Sequence, residues 1–210
     1  GPGQPLAPGK IYDSNRMLLT GRLMEMGVRP FLVRWVEDRP EAMAAALTQA
    51  AEQADLILTT GAVSVGKKDI MHEALKLAGA QRIFWKIKVK PGMPTLFSVY
   101  RNVPVLSLSG NPFGVAAMAE LLVRPAVQKL KRDESLRLVR VKGVMADTFS
   151  KPSRGRRLIR AYWEDGVFHL PKGLHANGVL ASMVGCNCLI DLKPGDPELK
   201  AGAPAEAILL

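Results

Sequence analysis

The stretch DLILTTGAVSVGKKDIMHEAL, residues 55–75, gives the clearest indication of fold in this sequence. Residues 55–60 contain the apolar run LIL and predict a buried strand, whereas Asp69 and the apolar residues after it predict a capped amphipathic helix. Two glycines in a small-residue turn join these elements. Backbone N–H groups converge on an anion where a strand, a glycine turn and a helix start meet. Asp69 alone would repel an anion. A site that combines such a cradle with a carboxylate usually holds a phosphate-bearing ligand, a divalent cation, or both, and the stretch predicts a site of this kind.

Helices and strands alternate on both sides of this stretch. The elements predicted before it are a helix over residues 15–26 with Asp13 or Ser14 as its cap, a strand over 31–36 and a helix that begins at Pro40. Those predicted after it are two or three strands in 82–112 with a hairpin-like turn at 101–102, and a long helix over 113–131. Such alternation is typical of crossover units, so residues 11–135 predict a three-layer α/β/α domain with a mostly parallel sheet.

The run VPVLSLSGNP, residues 103–112, repeats the theme of the first stretch, because an apolar strand again ends in a small-residue turn before a helix. In a parallel sheet, two such turns lie at the same edge. Open α/β sheets bind their ligands at that edge. We therefore expect the two turns to form one site.

The sequence changes in character after residue 135. Residues 136–210 contain short β-like runs separated by glycine and proline turns, and no long helix is predicted. The predicted strands are 136–144, 158–163, 167–170, 188–192 and 205–210. We therefore expect a small β-rich domain over 136–210, and the proline- and glycine-rich residues 1–10 predict a linker.

The net charge of +10 favours anionic partners, which include nucleic acids, membrane surfaces and phosphorylated small molecules. Much of this charge lies in residues 129–160, but the interleaved aromatic residues of single-strand binders are missing there, so no nucleic-acid partner is expected. No apolar run approaches the ~20 residues that span a bilayer, and the N-terminus lacks a signal-like pattern. We therefore expect a cytoplasmic protein with a small anionic substrate and no membrane partner.

Six motifs, in order, resemble one known family. IYDSN (11–15), TTGAVSVGKKD (59–69), FWKIKVKPGMP (84–94) and SGNP (109–112) resemble the third domain of the molybdopterin molybdenumtransferases, the MoeA and gephyrin E-domain family. RGRRLIRAYW (154–163) and GVLASMVGCNCLIDL (178–192) are similar to its fourth, β-rich domain. The resemblance implies insertion of molybdenum from molybdate into adenylylated molybdopterin, with Mg²⁺. It also implies that this chain holds the third and fourth domains only, and that the full-length protein is a homodimer.

The resemblance also implies which residues act in the site. The catalytic residues would be Asp69, Asp38, Lys86 and Lys90, and the two aspartates would also bind Mg²⁺. The residues that bind the cofactor would be Thr60, Gly61, Ser64, Gly66, Ser109, Gly110, Asn111, Pro112, Arg156 and Arg160. Lysines and turn N–H groups suit molybdate and phosphate, and two carboxylates can share a magnesium ion. Each residue also has a structural interpretation, since Asp69 can be only a helix cap and the lysines only exposed strand positions.

The sequence departs from the family pattern at several of these motifs. The departures are Ala62, Lys67, Ser109, Gly114 and Arg157. Alanine at position 62 is compatible with the turn only if its φ stays negative. Two alternative functions stay open, namely adenylyl transfer to molybdopterin and a non-catalytic pterin-binding or interaction module. The β-rich C-terminal part disfavours the first, and the intact aspartates disfavour the second.

Overall fold

The structure is a computed structural model, and it describes residues 5–9, 11–63, 70–151, 155–173, 178–195 and 198–210. The α-helices are α1 (Ser14–Glu25), α2 (Pro40–Ala50), α3 (Ile70–Ala78), α4 (Pro112–Met118) and α5 (Arg124–Lys131). The strands are β1 (Ile57–Val63), β2 (Gln81–Trp85), β3 (Val89–Lys90), β4 (Leu96–Tyr100), β5 (Val103–Ser109), β6 (Arg140–Met145), β7 (Arg156–Glu164), β8 (Val167–His169), β9 (Cys188–Leu192) and β10 (Pro204–Leu209). Two short 3₁₀ helices are Glu134–Leu136 and Leu180–Met183. None of the helices in these ranges is long and apolar enough to cross a membrane.

The first sheet has four strands in the order β1-β5-β4-β2. Only β1 and β5 run parallel, whereas β5 with β4 and β4 with β2 are antiparallel. The prediction of a mostly parallel sheet is therefore wrong. The cause is the hairpin at Arg101 and Asn102, where positive φ angles of 49° and 64° reverse the chain between β4 and β5. The hairpin itself was predicted at this position.

Helices cover both faces of this sheet, which confirms the mixed α/β class. The side chains of Leu19 and Leu23 from α1 and Val127 from α5 pack with Leu106 and Leu108 of β5. On the opposite face of the sheet, residues of α2 and α3 pack with residues of β1, β4 and β5. This second core contains Met43, Leu47, Met71, Leu75, Ile57, Leu96, Val103 and Val105.

The predicted strand over 31–36 does not form. These residues lie outside any ladder, and β1, at the sheet edge, pairs only with β5. Large side chains of the segment are exposed, including Phe31 at 59% and Trp35 at 72%. A run of apolar residues forms a strand only where a neighbour supplies backbone partners, and no described strand does so here.

The long helix predicted over 113–131 is present as a continuous helical run from α4 to α5. Its middle is a π-helical turn, Ala119–Val123, which contains the buried Glu120. The Glu120 carboxylate accepts hydrogen bonds from Arg22 Nε of α1 (2.9 Å) and from Arg124 Nε (2.6 Å). This charged cluster ties α1 to the long helical run.

The C-terminal part is β-rich, as the sequence predicted. Its strands run β7-β8-β6-β10-β9, and an additional pairing between β9 and β7 closes the sheet into a small barrel. Buried side chains of Met145, Ile159, Phe168 and Ile190 fill its interior. The short β3 pairs in parallel with β7, so the two parts of the chain share a sheet.

Candidate functional site

The two glycine turns meet at one edge of the first sheet. In the parallel pair, Thr60 lies opposite Leu108 and Val63 lies opposite Ser109. A Cβ atom on Gly110 would lie 3.3 Å from the Cα atom of Gly61. The expected common edge is therefore confirmed for the described part of the first turn, while Ser64, Gly66, Lys67 and Asp69 lie outside the described residues.

Strand β1 continues further than predicted, through the turn sequence to Val63. Its register with β5 is irregular between Thr60 and Val63. Gly61 has a φ of +90°, which favours glycine and allows this irregularity. Ala62 is not among the residues with positive φ, so the condition for alanine at this departure from the family pattern is met.

The start of α1 lies at the second turn. Asn15 donates a hydrogen bond from Nδ2 to the Gly110 carbonyl oxygen (2.9 Å). Asp13 caps the same helix by accepting from the Arg16 N–H (3.0 Å), which confirms the predicted cap. Sequence reasoning did not include Asn15 among the site residues, although it is the last residue of the IYDSN motif that contributed to the resemblance.

The helix that follows the second turn also begins at this edge. Asn111 is the N-cap residue of α4, and Pro112 occupies its first position. The first N–H groups of the long helical run 112–131 therefore lie beside Gly110. Unpaired N–H groups and the positive end of a helix dipole both favour anions.

Helices α2 and α3 begin at the same edge. Thr48 lies late in α2, and its Oγ1 atom is 3.1 Å from the hydroxyl of Tyr100, which is close to the start of β5. Because the end of α2 lies near the start of β5, the first turn of α2 points to the edge where β5 ends. The His72 ring, early in α3, lies edge-on to the Trp85 ring with a centroid distance of 4.5 Å. Trp85 pairs with Leu96, which pairs with Ser107 near the end of β5. These contacts indicate that α2 and α3, like α1 and α4, begin on this side of the sheet.

Lys86 and Lys90 lie on the segment that follows β2. Lys86 directly follows Trp85, and its backbone N–H donates to the Thr95 carbonyl oxygen (2.9 Å). Its Nζ atom lies 3.9 Å from the Trp85 ring centroid. Lys90 is exposed. Two residues later, the backbone nitrogen of Gly92 lies 3.6 Å from the position that a Cβ atom on Gly114 would take, in the first turn of α4. Lys86 therefore lies at the end of β2, and the segment that contains Lys90 continues to Gly92, beside the first turn of α4.

Asp38 lies two residues before α2 and is exposed. Its carboxylate forms no ion pair with the residues described. The described ranges contain no group of three or more His, Cys, Asp or Glu side chains that could hold a metal ion. Magnesium usually takes only one or two protein carboxylates and completes its coordination with water and substrate phosphates. A free carboxylate at the start of α2 fits that chemistry.

Two departures from the family pattern lie against each other. A Cβ atom on Gly114 would lie 2.7 Å from the Ser109 Oγ atom. Ser109 is buried, with 3% of its surface exposed, so its hydroxyl occupies the space that a side chain at position 114 would need. The serine at 109 and the glycine at 114 therefore depend on each other.

The two arginines predicted to bind the cofactor have protein partners. Arg156 forms a two-fold ion pair with Asp191, with Nε–Oδ1 and Nη2–Oδ2 distances of 2.7 Å. Burial opposes ionisation of Asp191, but the hydrogen bonds from Arg156 and Arg140 outweigh it and lower the pKa of that carboxyl. Cofactor binding by Arg156 stays a prediction, since its guanidinium is held by this pair on the barrel.

Arg160 is almost completely buried, with 1% of its surface exposed. Its guanidinium carbon lies 4.0 Å from the centroid of the Phe113 ring in α4. Nη1 donates to the Val179 carbonyl oxygen (3.2 Å) and to Ser182 Oγ. Burial lowers the pKa of Arg160. This arginine packs the barrel against the helix that starts at the second turn, and cofactor binding by Arg160 stays a prediction.

Several cations of the basic stretch 129–160 also form internal ion pairs. Lys131 pairs with Asp133, Arg137 with Glu134, and Arg140 with both Asp191 and Glu206. The positive charge of this stretch is therefore partly neutralised within the protein. The expectation that no nucleic acid binds there stays a prediction.

Comparisons with known proteins identify the family. Residues 3–129 match a family described as "probable molybdopterin binding domain", and residues 142–210 match the "MoeA C-terminal region (domain IV)". Molybdopterin molybdenumtransferases of Bacillus subtilis and Staphylococcus epidermidis are 29% and 31% identical over 98% and 97% of this chain. The chain spans about half the length of these curated relatives, 49% in both cases.

Solved structures give the same result for the fold. A molybdopterin biosynthesis MoeA protein from Pyrococcus horikosii has a TM-score of 0.83 at 22% identity, over 100% of this chain and 51% of that one. A molybdenum cofactor biosynthesis protein from Pyrococcus furiosus has a TM-score of 0.75 at 24% identity, over 94% of this chain and 65% of that one. The first family match covers more than half of the sequence, and the second adds the MoeA C-terminal region, so the chain belongs to the MoeA-like family of proteins with a molybdopterin-binding domain.

Proposed function

We propose that this chain provides the substrate-binding edge of an enzyme that inserts molybdenum from molybdate into adenylylated molybdopterin. The observation that supports the proposal most is the close approach of the two glycine turns at Gly61 and Gly110, with the N-termini of α1 and α4 beside Gly110. Such an edge suits a ligand with several negative charges. Adenylylated molybdopterin and molybdate are both anions of this kind.

In this proposal, the backbone N–H groups at Gly61, Gly110 and the start of α4 bind phosphate oxygens. Lys86 and Lys90 stabilise the negative charge that develops as the phosphoanhydride bond is hydrolysed. Thr60, Ser109 and Asn111 belong to the strand ends and turns that bind the cofactor. The reaction needs no protein nucleophile.

Asp38 and Asp69 would hold Mg²⁺ at the same edge. A bound magnesium ion neutralises phosphate charge and orients its oxygen ligands. The carboxylate of Asp38 supports this assignment because it is exposed, without an ion pair among the described residues, and near the start of α2. The assignment of Asp69 rests on the sequence motif alone.

The domain division belongs to the same proposal. We assign residues 11–135 to a molybdopterin-binding domain and 136–210 to a β-rich domain, after a linker over 1–10. The family matches over 3–129 and 142–210 support a boundary in this region. The homodimer of the full-length protein rests on the resemblance, and its test is the mass in solution.

The test uses the full-length protein, adenylylated molybdopterin and molybdate, and measures reconstitution of a molybdoenzyme. We expect Asp38→Asn and Asp69→Asn each to abolish reconstitution, since each change removes a charge that the cation requires. Glu37→Gln is the matched control, because Glu37 is a neighbouring exposed carboxylate that pairs with Arg39 (2.9 Å). It should reconstitute as the wild type does.

Stability separates the chemical role of Asp69 from a capping role. Asparagine caps a helix about as well as aspartate, within a few tenths of a kcal/mol, so the melting temperature of Asp69→Asn should not change. Normal reconstitution by this variant would contradict the catalytic assignment. Release of pyrophosphate from ATP and molybdopterin would instead support adenylyl transfer. Pterin binding without either reaction would support the non-catalytic module.

A further inference from the structure

The backbone of Lys86 is unusual. Its φ angle is +65°, in the left-handed region that side chains other than glycine rarely adopt. Successive side chains in a strand point to opposite faces, so a lysine that continued β2 in extended conformation would point away from Trp85. The left-handed turn instead brings Nζ to 3.9 Å from the Trp85 ring centroid. Strain of this kind persists where the surrounding structure fixes it, and it is concentrated at functional sites.

The partner of the Lys86 ammonium is an aromatic ring and not a carboxylate. No Asp or Glu among the described residues forms an ion pair with Lys86. The face of an indole attracts a cation through its quadrupole but carries no net charge. The contact between the ammonium and the indole therefore has a net charge of +1, whereas an ion pair with a carboxylate would have a net charge of zero. This arrangement suits a lysine that must attract an anion.

Trp85 is itself fixed on its other sides. Its ring packs partly against the core between the sheet and helices α2 and α3. His72 in α3 lies edge-on to it at 4.5 Å, and its backbone pairs with Leu96 in the sheet. The ring is therefore a rigid platform at the edge where β5 ends.

We propose that Trp85 is a positioning residue that holds the Lys86 ammonium at the anion-binding edge without an ion-pair partner among the described carboxylates. The inference rests on the proposed function for the role of Lys86 and extends it to a residue that the motif analysis did not assign. Trp85 acts through Lys86 and does not itself contact the anion.

The placement has a spectroscopic test that is independent of function. Protons above an aromatic face resonate upfield, so the Cδ and Cε protons of Lys86 should shift upfield in the NMR spectrum of the 210-residue chain. The shift should disappear in Trp85→Leu and persist in part in Trp85→Phe, which keeps an aromatic face. Lys88, an exposed lysine two residues further on, is the internal reference and should show no such shift. Random-coil shifts at Lys86 in the wild type would overturn the proposal, whatever the enzyme does.

The positioning role is tested by a double-mutant cycle on binding of inorganic pyrophosphate, measured by calorimetry. We expect Lys86→Met to weaken binding and Lys88→Met, which removes the same charge nearby, to leave it close to the wild type. Trp85→Leu should weaken binding about two- to fivefold, which corresponds to a cation–π interaction at an exposed site. Trp85→Phe should restore most of this loss.

The decisive measurement is Trp85→Leu in the Lys86→Met background. If Trp85 acts through Lys86, the second substitution should have no further effect on binding. A further loss of the same size would overturn the proposal, since Trp85 would then contact the anion or support the site in another way. Unchanged binding by Lys86→Met would overturn the anion-binding role of Lys86 and, with it, the positioning role, even where the upfield shift is present.

Discussion

Replacement of Gly114 by alanine should destabilise the protein, although alanine is the better helix former. Gly114 lies inside α4, where glycine costs about 0.5–1 kcal/mol relative to alanine. A Cβ atom there would lie 2.7 Å from Ser109 Oγ, about 0.7 Å closer than the 3.4 Å at which ordinary contact begins. The next neighbours, Gly92 N at 3.6 Å and Asn111 Cβ at 3.8 Å, are at ordinary contact distance. The Ser109 hydroxyl is therefore the only close obstacle among the described residues.

The size of the effect follows from two opposing contributions. Overpacking of a buried site costs about 1–3 kcal/mol, and the buried Ser109 has little space to rotate away. After the gain in helix propensity, we expect a net loss of about 0.5–2 kcal/mol in the free energy of unfolding of Gly114→Ala. In a Ser109→Ala background the obstacle is absent, so Gly114→Ala should become neutral or stabilising. The coupling energy between the two sites should then be about 1–3 kcal/mol.

Urea denaturation of the four variants of this cycle measures these energies. Gly21→Ala in α1 is the matched control, because no atom lies within 4 Å of a Cβ on this helical glycine. It should stabilise the protein by about 0.5–1 kcal/mol. Two results would refute the reasoning, namely a Gly114→Ala variant as stable as Gly21→Ala, or the same penalty with and without the Ser109 hydroxyl.

Four further predictions concern stability and binding. Glu120→Gln should lower the free energy of unfolding by about 2–4 kcal/mol, since Arg22 and Arg124 would lose the buried carboxylate that they share. A loss of less than about 1 kcal/mol in urea denaturation would contradict this. Lys86→Gly should be about 1 kcal/mol more stable than Lys86→Ala, because glycine adopts the φ of +65° without strain, and equal stabilities would argue against that backbone conformation. The pKa of Asp191 is lower in the folded than in the unfolded protein, so the ionised Asp191 carboxylate stabilises the fold. This stabilisation should be complete above the unfolded pKa of about 3.9 and be lost as pH falls through the folded pKa. Asp191→Asn should therefore flatten the pH dependence of the free energy of unfolding below about pH 4. Nucleic-acid binding by residues 129–160 should be weak at physiological salt, and submicromolar affinity in a salt titration would overturn that expectation.

The sequence by itself determined the local elements of this protein. Asp13 caps α1, Pro40 and Pro112 open helices, and Arg101 with Asn102 forms the predicted hairpin. These features depend on residues a few positions apart, so a local pattern is enough to predict them. The order of the motifs was also sufficient to identify the family.

The tertiary structure decided which elements meet and in which direction. The sequence pattern of residues 31–36 predicted a strand, but strand formation needs a backbone partner that no described element supplies. The direction of β4 and β2 likewise depends on how the hairpin folds back onto β5. Local patterns cannot show these pairings, because the partners are distant in sequence.

The same reason explains which features of the site only the structure shows. Ser109 and Gly114 appeared as two separate departures from a motif, whereas in space one hydroxyl fills the position that the other side chain would take. Arg160 appeared only as part of a basic motif, whereas in the fold its guanidinium is buried against Phe113. Burial and contact are properties of the folded chain, so the sequence could predict the chemistry of these residues but not their surroundings.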